Sequence, residues 1–272
     1  MYITILLLGI ISAVHSCPPP DRAALLAFRA ALNEPHLGIF NSWKGYDCCH
    51  GWYGVSCDPI THRVGDINLR GESEDPLFEK AHRTGYMTGT ISPAICKLER
   101  LSSLTIADWK GITDIRNNSI YGTLPTNFGK LRMLSRALLS RNRLSGSIPP
   151  SLGNMHVLAT LNLDGNNISG TIPPSLMNSR INILNLSKNT IEGYIPDSFD
   201  ERSYFMVMDL SYNKLKGRIP KSISSATFVG HLDVSHNHLC GQIPAGSPFD
   251  HLEASSFTYN DCLCGKPLKP CH

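Results

Sequence analysis

Along much of the chain, pairs of apolar residues separated by one outward-facing residue recur about every two dozen positions: Leu161 and Leu163, Leu184 and Leu186, Met208 and Leu210, Leu232 and Val234. Period-two alternation predicts a short strand with one buried face, because successive side chains leave a strand on opposite sides. After most pairs comes an Asn, and four residues after each Asn a Gly opens a Gly-x-(Ile/Leu)-Pro element. The asparagines are Asn118, Asn142, Asn166, Asn189, Asn213 and Asn237, and the glycines Gly122, Gly146, Gly170, Gly193, Gly217 and Gly241, spaced 24, 24, 23, 24 and 24 residues apart. A repeat of this kind predicts an α/β repeat solenoid, in which each coil adds one strand to a parallel sheet lining the inner face. The Asn turns inward to satisfy backbone groups at the strand exit, Gly permits the tight backbone that follows, and Pro ends pairing on the outer side.

One join breaks the period. Gly89 and Gly122 are 33 residues apart, nine more than a normal coil, and two strand-like cores lie between them: Leu104, Ile106 and Trp109, then Ile115 and Asn118. A single coil does not hold both strands. Either one loops out, or a run of coils has been lost with the cut out of register.

Composition narrows the functional classes. The chain has 272 residues, 42% of them hydrophobic, enough for a sizeable core, and a net charge of +3, too small to drive nucleic-acid binding. Eight of the nine cysteines lie near the two ends, with Cys96 the nearest to the middle, which suits disulfide-stapled ends around an unstapled body in an oxidising compartment. Ile3 to Val14 is apolar and uncharged, and small residues precede Cys17, so residues 1–16 read as a secretory signal peptide, too short to span a bilayer. No other run is long enough to be a membrane span. Neither a G-x-S-x-G elbow, an H-E-x-x-H pair nor a phosphate-binding G-x-x-x-x-G-K occurs, so no enzyme activity, metal or cofactor is expected. The most suggestive titratable set is His231, Asp233 and His236, of which the first two share one face of a strand; they are read as polar residues of that face rather than a metal site.

The unit from Ser151 to Pro173, with Leu158, Leu161, Leu163, Asn166, Ile168, Gly170, Ile172 and Pro173, resembles the plant-type extracellular leucine-rich repeat. Residues 21–28 with Trp43, Cys48, Cys49, Trp52, Gly54, Val55 and Cys57 resemble the N-terminal cap of that family, and Cys262, Leu263, Cys264, Gly265, Pro267, Leu268 and Cys271 its C-terminal cap. Residues 68–112 and 238–269 resemble plant proteins of the DNA-damage-repair and toleration type; polygalacturonase-inhibiting proteins are more distant. The resemblance implies an arc with capped ends: an N-terminal cap over 17–61, repeats over 62–244 and a C-terminal cap over 245–272. It also implies the pairs Cys17–Cys48 and Cys49–Cys57; Cys240–Cys262 and Cys264–Cys271 are the choices at the other end, which leaves Cys96 over. Relatives carry further coils at the irregular join, which favours loss of coils, in a shortened variant or a mis-spliced gene product. Receptor relatives add a membrane span and a kinase; this sequence stops at His272, after the cap.

In such an arc a ligand meets the inner sheet, about seven strands and roughly 35 Å long. Its outward residues are Arg136, Leu138, Arg141, Thr160, Asn162, Asp164, Lys188, Asp209, Tyr212, His231, Asp233 and His236; the recurrent Ser140, Ser187, Ser211 and Ser235 read as scaffold. Sequons stand at Asn117, Asn167 and Asn185, the last on the inner face itself. The expected function is a secreted, non-catalytic recognition module of the apoplast or cell wall. It would bind a protein, peptide or cell-wall polysaccharide in defence or stress response, with association with receptor kinases open. Inhibition of polygalacturonase is the alternative, and DNA-damage toleration the third. Nucleic acid and a membrane span are not expected.

Overall fold

The chain is described by a computed structural model over residues 17–70, 86–107, 109 and 120–271. Residues 1–16, expected to be a signal peptide, Asn117 and the second strand-like core expected around Ile115 and Asn118 lie outside the described residues.

The apolar pairs form one inner sheet. Its strands are β1 (Val55–Cys57), β2 (Val64–Arg70), β3 (Ser103–Ala107), β4 (Arg136–Leu138), β5 (Thr160–Asn162), β6 (Ile183–Asn185), β7 (Tyr204–Asp209) and β8 (Phe228–Asp233). They lie side by side in chain order, β1 antiparallel to β2 and all later pairs parallel. Register holds throughout: Leu104, Ala137, Leu161, Leu184, Met208 and Leu232 fall in one buried row. Each strand from β4 to β7 carries a bulge, at its start in β4 to β6 and within the strand in β7, where two consecutive N–H groups donate to one carbonyl of the preceding coil, as Met206 and Val207 do to Asn182. A bulge turns two neighbouring residues outward where strict alternation allows one.

The opposite side carries short strands over 88–90, 120–123, 143–146, 167–168, 192–193, 214–217, 238–242 and 262–264. The back of the arc is built from 3-10 turns such as Pro93–Lys97 and Phe128–Lys130. Positive φ alone does not explain the repeat glycines. At Gly193 (φ 82°) an added Cβ would stand 2.9 Å from Cγ2 of Thr171 in the preceding coil, so the residue after one glycine covers the next.

The irregular join keeps the stack intact. β3 pairs directly with β2 and β4, and Ile106 holds the register place of Leu139. Three residues on, where other coils place their Asn, stands Trp109, 2% exposed, with its indole N–H donating to the Leu69 carbonyl at 3.0 Å. Trp109 is therefore not part of the strand, and its indole takes the carbonyl of the preceding coil as a ladder Asn does in later coils. Ile120 resumes the normal pattern by donating its N–H to Asn142 Oδ1.

Both ends are closed over. The helix Pro19–Arg29 begins in prolines, whose missing N–H groups cost nothing in a first turn, and buries Ala24, Leu25 and Phe28. Trp43 and Trp52 stack at 5.2 Å, each indole N–H donating to a backbone carbonyl, and buried Asp21 accepts from the Arg63 guanidinium and the Val64 N–H. Disulfides join Cys17 to Cys48 and Cys49 to Cys57 at this end, and Cys240 to Cys262 and Cys264 to Cys271 at the other. Cys96 is buried and free. Asn260 extends the ladder into the last turn, bonded as the repeat asparagines are.

Candidate ligand-binding face

Register sorts the outward side chains of the inner sheet into rows running across the coils. The first holds Arg136, Thr160, Ile183, Val207 and His231, each following a bulge or occupying its equivalent place. Arg136, Ile183 and His231 are exposed, Thr160 and Val207 half-buried. Ile183 and Val207 were missed in the sequence, and with them Met206, Tyr204 and Phe228, which are 52%, 42% and 43% exposed. Tyr204 and Phe228 stack at 5.1 Å across β7 and β8.

The second row, Leu138, Asn162, Asn185, Asp209 and Asp233, is largely scaffold. Asn162, Asp209 and Asp233 each accept the backbone N–H two residues on through Oδ1, at 3.3, 2.9 and 2.9 Å. Asn185 does the same for Ser187 and also takes its hydroxyl at 2.7 Å. Side chains so tied shape the turn at the strand exit. Ser140, Ser187, Ser211 and Ser235 are buried beside them, and half-buried Asp164 fills the equivalent place in its own coil.

The third row lies one residue before each ladder Asn, where the backbone is left-handed: Arg141, Lys188, Tyr212, His236 and Tyr259 all have φ between 52° and 58°. Tyr212, His236 and Tyr259 stack face to face at 3.9 and 4.1 Å, and Lys188 Nζ lies 6.0 Å from the Tyr212 ring. Tyr259 escapes the glycine-based repeat because no Gly-x-Ile-Pro follows it. The dipeptides Tyr212-Asn213, His236-Asn237 and Tyr259-Asn260 carry the signal that finds it.

His231, Asp233 and His236 are not brought together as a chelating set: Asp233 is bound to Ser235 and His236 lies between two tyrosines. Among the described residues the one close group of potential metal ligands is Cys48, Cys49 and Cys57, whose sulfurs are engaged in disulfides. Asn167 is exposed on the outer side, and Asn185 is half-buried in the middle of the face.

These rows are those of a known scaffold. Residues 18–58 match the leucine rich repeat N-terminal domain, and residues 134–155, 157–179, 180–201 and 205–226 match the Leucine Rich Repeat. The solenoid is a leucine-rich repeat array. Both matched models describe repeat scaffolds rather than catalytic domains. Over 139 residues the array is 50% identical to the DNA damage-repair/toleration protein DRT100 of Arabidopsis thaliana, a match covering 50% of this chain and 35% of that one. Over 109 residues it is 35% identical to a polygalacturonase inhibitor of Vitis vinifera, covering 35% of this chain and 32% of the relative. The matched stretches thus span about a third of the length of these relatives. Among solved structures, a pollen receptor kinase 3 is similar with a TM-score of 0.63 and 28% identity, over 90% of this chain and 96% of that one. The leucine-rich repeat ectodomain of the Arabidopsis receptor kinase HAESA, in complex with an IDA peptide hormone ligand, is similar with a TM-score of 0.59 and 29% identity, over 82% and 38%. Among the described residues no helix is long and apolar enough to cross a membrane.

Proposed function

We propose that the leucine-rich repeat array is an exported, non-catalytic recognition module of the apoplast or cell wall, acting in defence or stress response. It takes an extended peptide or protein loop on its inner face. One observation carries the reading: Ile183, Tyr204, Met206 and Phe228 stand exposed on neighbouring strands of that face. Solvated strand faces are polar, and contiguous exposed apolar side chains mark interaction surfaces. The solved complex of the similar receptor ectodomain with a peptide supports the same class of ligand. Arg136 and His231 flank the apolar stretch in the same row and supply polar contacts; association with a receptor kinase would use this face or its edge. A glycan on exposed Asn167 leaves the face open, whereas one on Asn185 would stand in its middle.

Selection from a displayed library of random peptides tests the proposal. Binders enriched on the wild type are expected to carry an apolar or aromatic anchor and to lose about tenfold or more in affinity on the Ile183→Ser/Met206→Ser variant, as for an anchor side chain. Equal binding to both proteins overturns it. Inhibition of polygalacturonase is the second reading, favoured by the similarity to an inhibitor. An assay at micromolar protein that leaves the enzyme fully active removes it.

A further inference from the structure

Between Ile120 and Leu163 the sequence holds five Lys or Arg residues and no Asp or Glu, against 22 acidic residues in the whole chain. The fold gathers part of this charge at one edge of the arc. Lys130 and Arg132 lie on the turn leading into β4, and Arg100 on the turn leading into β3. The three line a groove of 660 Å³ between the two coils, together with Gly129, Met133 and Glu99, the one carboxylate among these lining residues. Among the described residues none of the three cations forms a salt bridge. The Arg100 charge reaches Asp58, whose carboxyl is held below its ordinary value chiefly by the Thr61 N–H and hydroxyl. A second groove, of 390 Å³, opens on the corresponding turns of later coils, with His156, Arg180 and Arg202 in its wall; Arg202 is held by Asp200 at 2.8 Å.

Cations repeated from coil to coil, about 5 Å apart along the stack, complement a ligand that repeats its negative charge. Unpaired surface charge does little for stability and serves attraction of an opposite partner. We propose that this edge binds an acidic polysaccharide, a chain of sugars bearing carboxylate or sulfate groups, at a site separate from the inner face. Two observations favour sugar. Among the described residues Met133 is the one large apolar side chain lining the first groove, which gives a peptide little to bury. Four disulfides suit an oxidising compartment, where the polyanions at hand are carbohydrates rather than nucleic acids.

Binding to polygalacturonate, dextran sulfate, neutral dextran and duplex DNA, each at several salt concentrations, tests it. The wild type is expected to bind one or both acidic polysaccharides and not neutral dextran, the preferred one showing whether carboxylate or sulfate is read. Log affinity should fall with log salt at a slope of about −2 to −3, near one per engaged cation. Lys130→Ala/Arg132→Ala should weaken binding about tenfold or more and flatten the slope by about two. Lys214→Ala/Lys221→Ala, exposed elsewhere, and the inner-face variant Ile183→Ser/Met206→Ser should leave binding unchanged, so loss of peptide binding and loss of polysaccharide binding are separable. Absence of binding, equal loss in both lysine-containing variants, or tighter binding to the DNA duplex overturns the proposal.

Discussion

At the scale of single residues, the side chains that matter most for the fold are amides. Asn213 accepts the Ile191 N–H at 3.0 Å and directs its own N–H groups to the carbonyls of Leu186, Leu210 and Ser211 at 3.0–3.1 Å, tying two coils at one buried point. Asn213→Ala orphans those groups, and buried unsatisfied groups cost about 1–3 kcal/mol each. Denaturant unfolding of the disulfide-intact protein should show a loss of about 3 kcal/mol, and Trp109→Phe, which removes one donor, about 1 kcal/mol. Cys96 makes a different prediction. Burial pushes its thiol up to about 11 from 9.0, against the pull of the Lys130 charge. The folded state holds this proton more tightly, so the stability it lends is complete below pH 9.0 and is lost as pH rises toward 11. Alkylation of the native protein at neutral pH should add nothing. Unfolding without reduction should expose one thiol by intact mass; several would mean that the bridges fail to form.

At the scale of elements, the repeat glycines test how coils stack. Gly193→Ala carries two penalties, a left-handed φ of 82° and a Cβ 2.9 Å from Thr171 Cγ2; Gly246→Ala carries only the first, with nothing within 4 Å. Gly193→Ala should therefore lower stability by about 2 kcal/mol and Gly246→Ala by about 1. Adding Thr171→Ala should recover part of the first loss, read from a double-mutant cycle, and no recovery would place the cost in the backbone alone. The inner strands, their order and the ladder asparagines from Asn142 to Asn237 were legible in the sequence because each rests on local alternation or on a fixed spacing. The bulges were not. They depend on two N–H groups sharing a carbonyl one coil away, and they are what turn Met206 and Val207 outward together. That is why Arg136 and His231 were found on the face while its apolar centre was overlooked. Trp109 was misread for a related reason: an aromatic residue three positions past an alternating pair was read with that pair as strand, and only the Leu69 carbonyl in the neighbouring coil shows its place in the ladder.

At the scale of the whole molecule, a repeat stack is stabilised coil by coil, each contacting its neighbours. An irregular coil is tolerated if its two faces still match those on either side. β3 meets this condition, since it is in register with β2 before it and β4 after it. In regular coils one residue separates the ladder Asn from the next buried apolar residue, as Arg143 separates Asn142 from Leu144; between Trp109 and Ile120 there are ten. Deleting residues 110–118 leaves one residue there and restores the spacing of 24 seen elsewhere. Because closing a shorter connection costs less conformational entropy, and because no inter-coil pairing described on either side is removed, the deletion variant should keep the fold and melt at an equal or higher temperature. Thermal unfolding followed by near-ultraviolet circular dichroism, with Trp109 in place as the reporter, checks this. A lowered melting temperature or loss of the aromatic signal would instead assign to residues 110–118 a structural part in covering the stack. The insertion would then be a working piece of the arc rather than a seam between coils that fit without it.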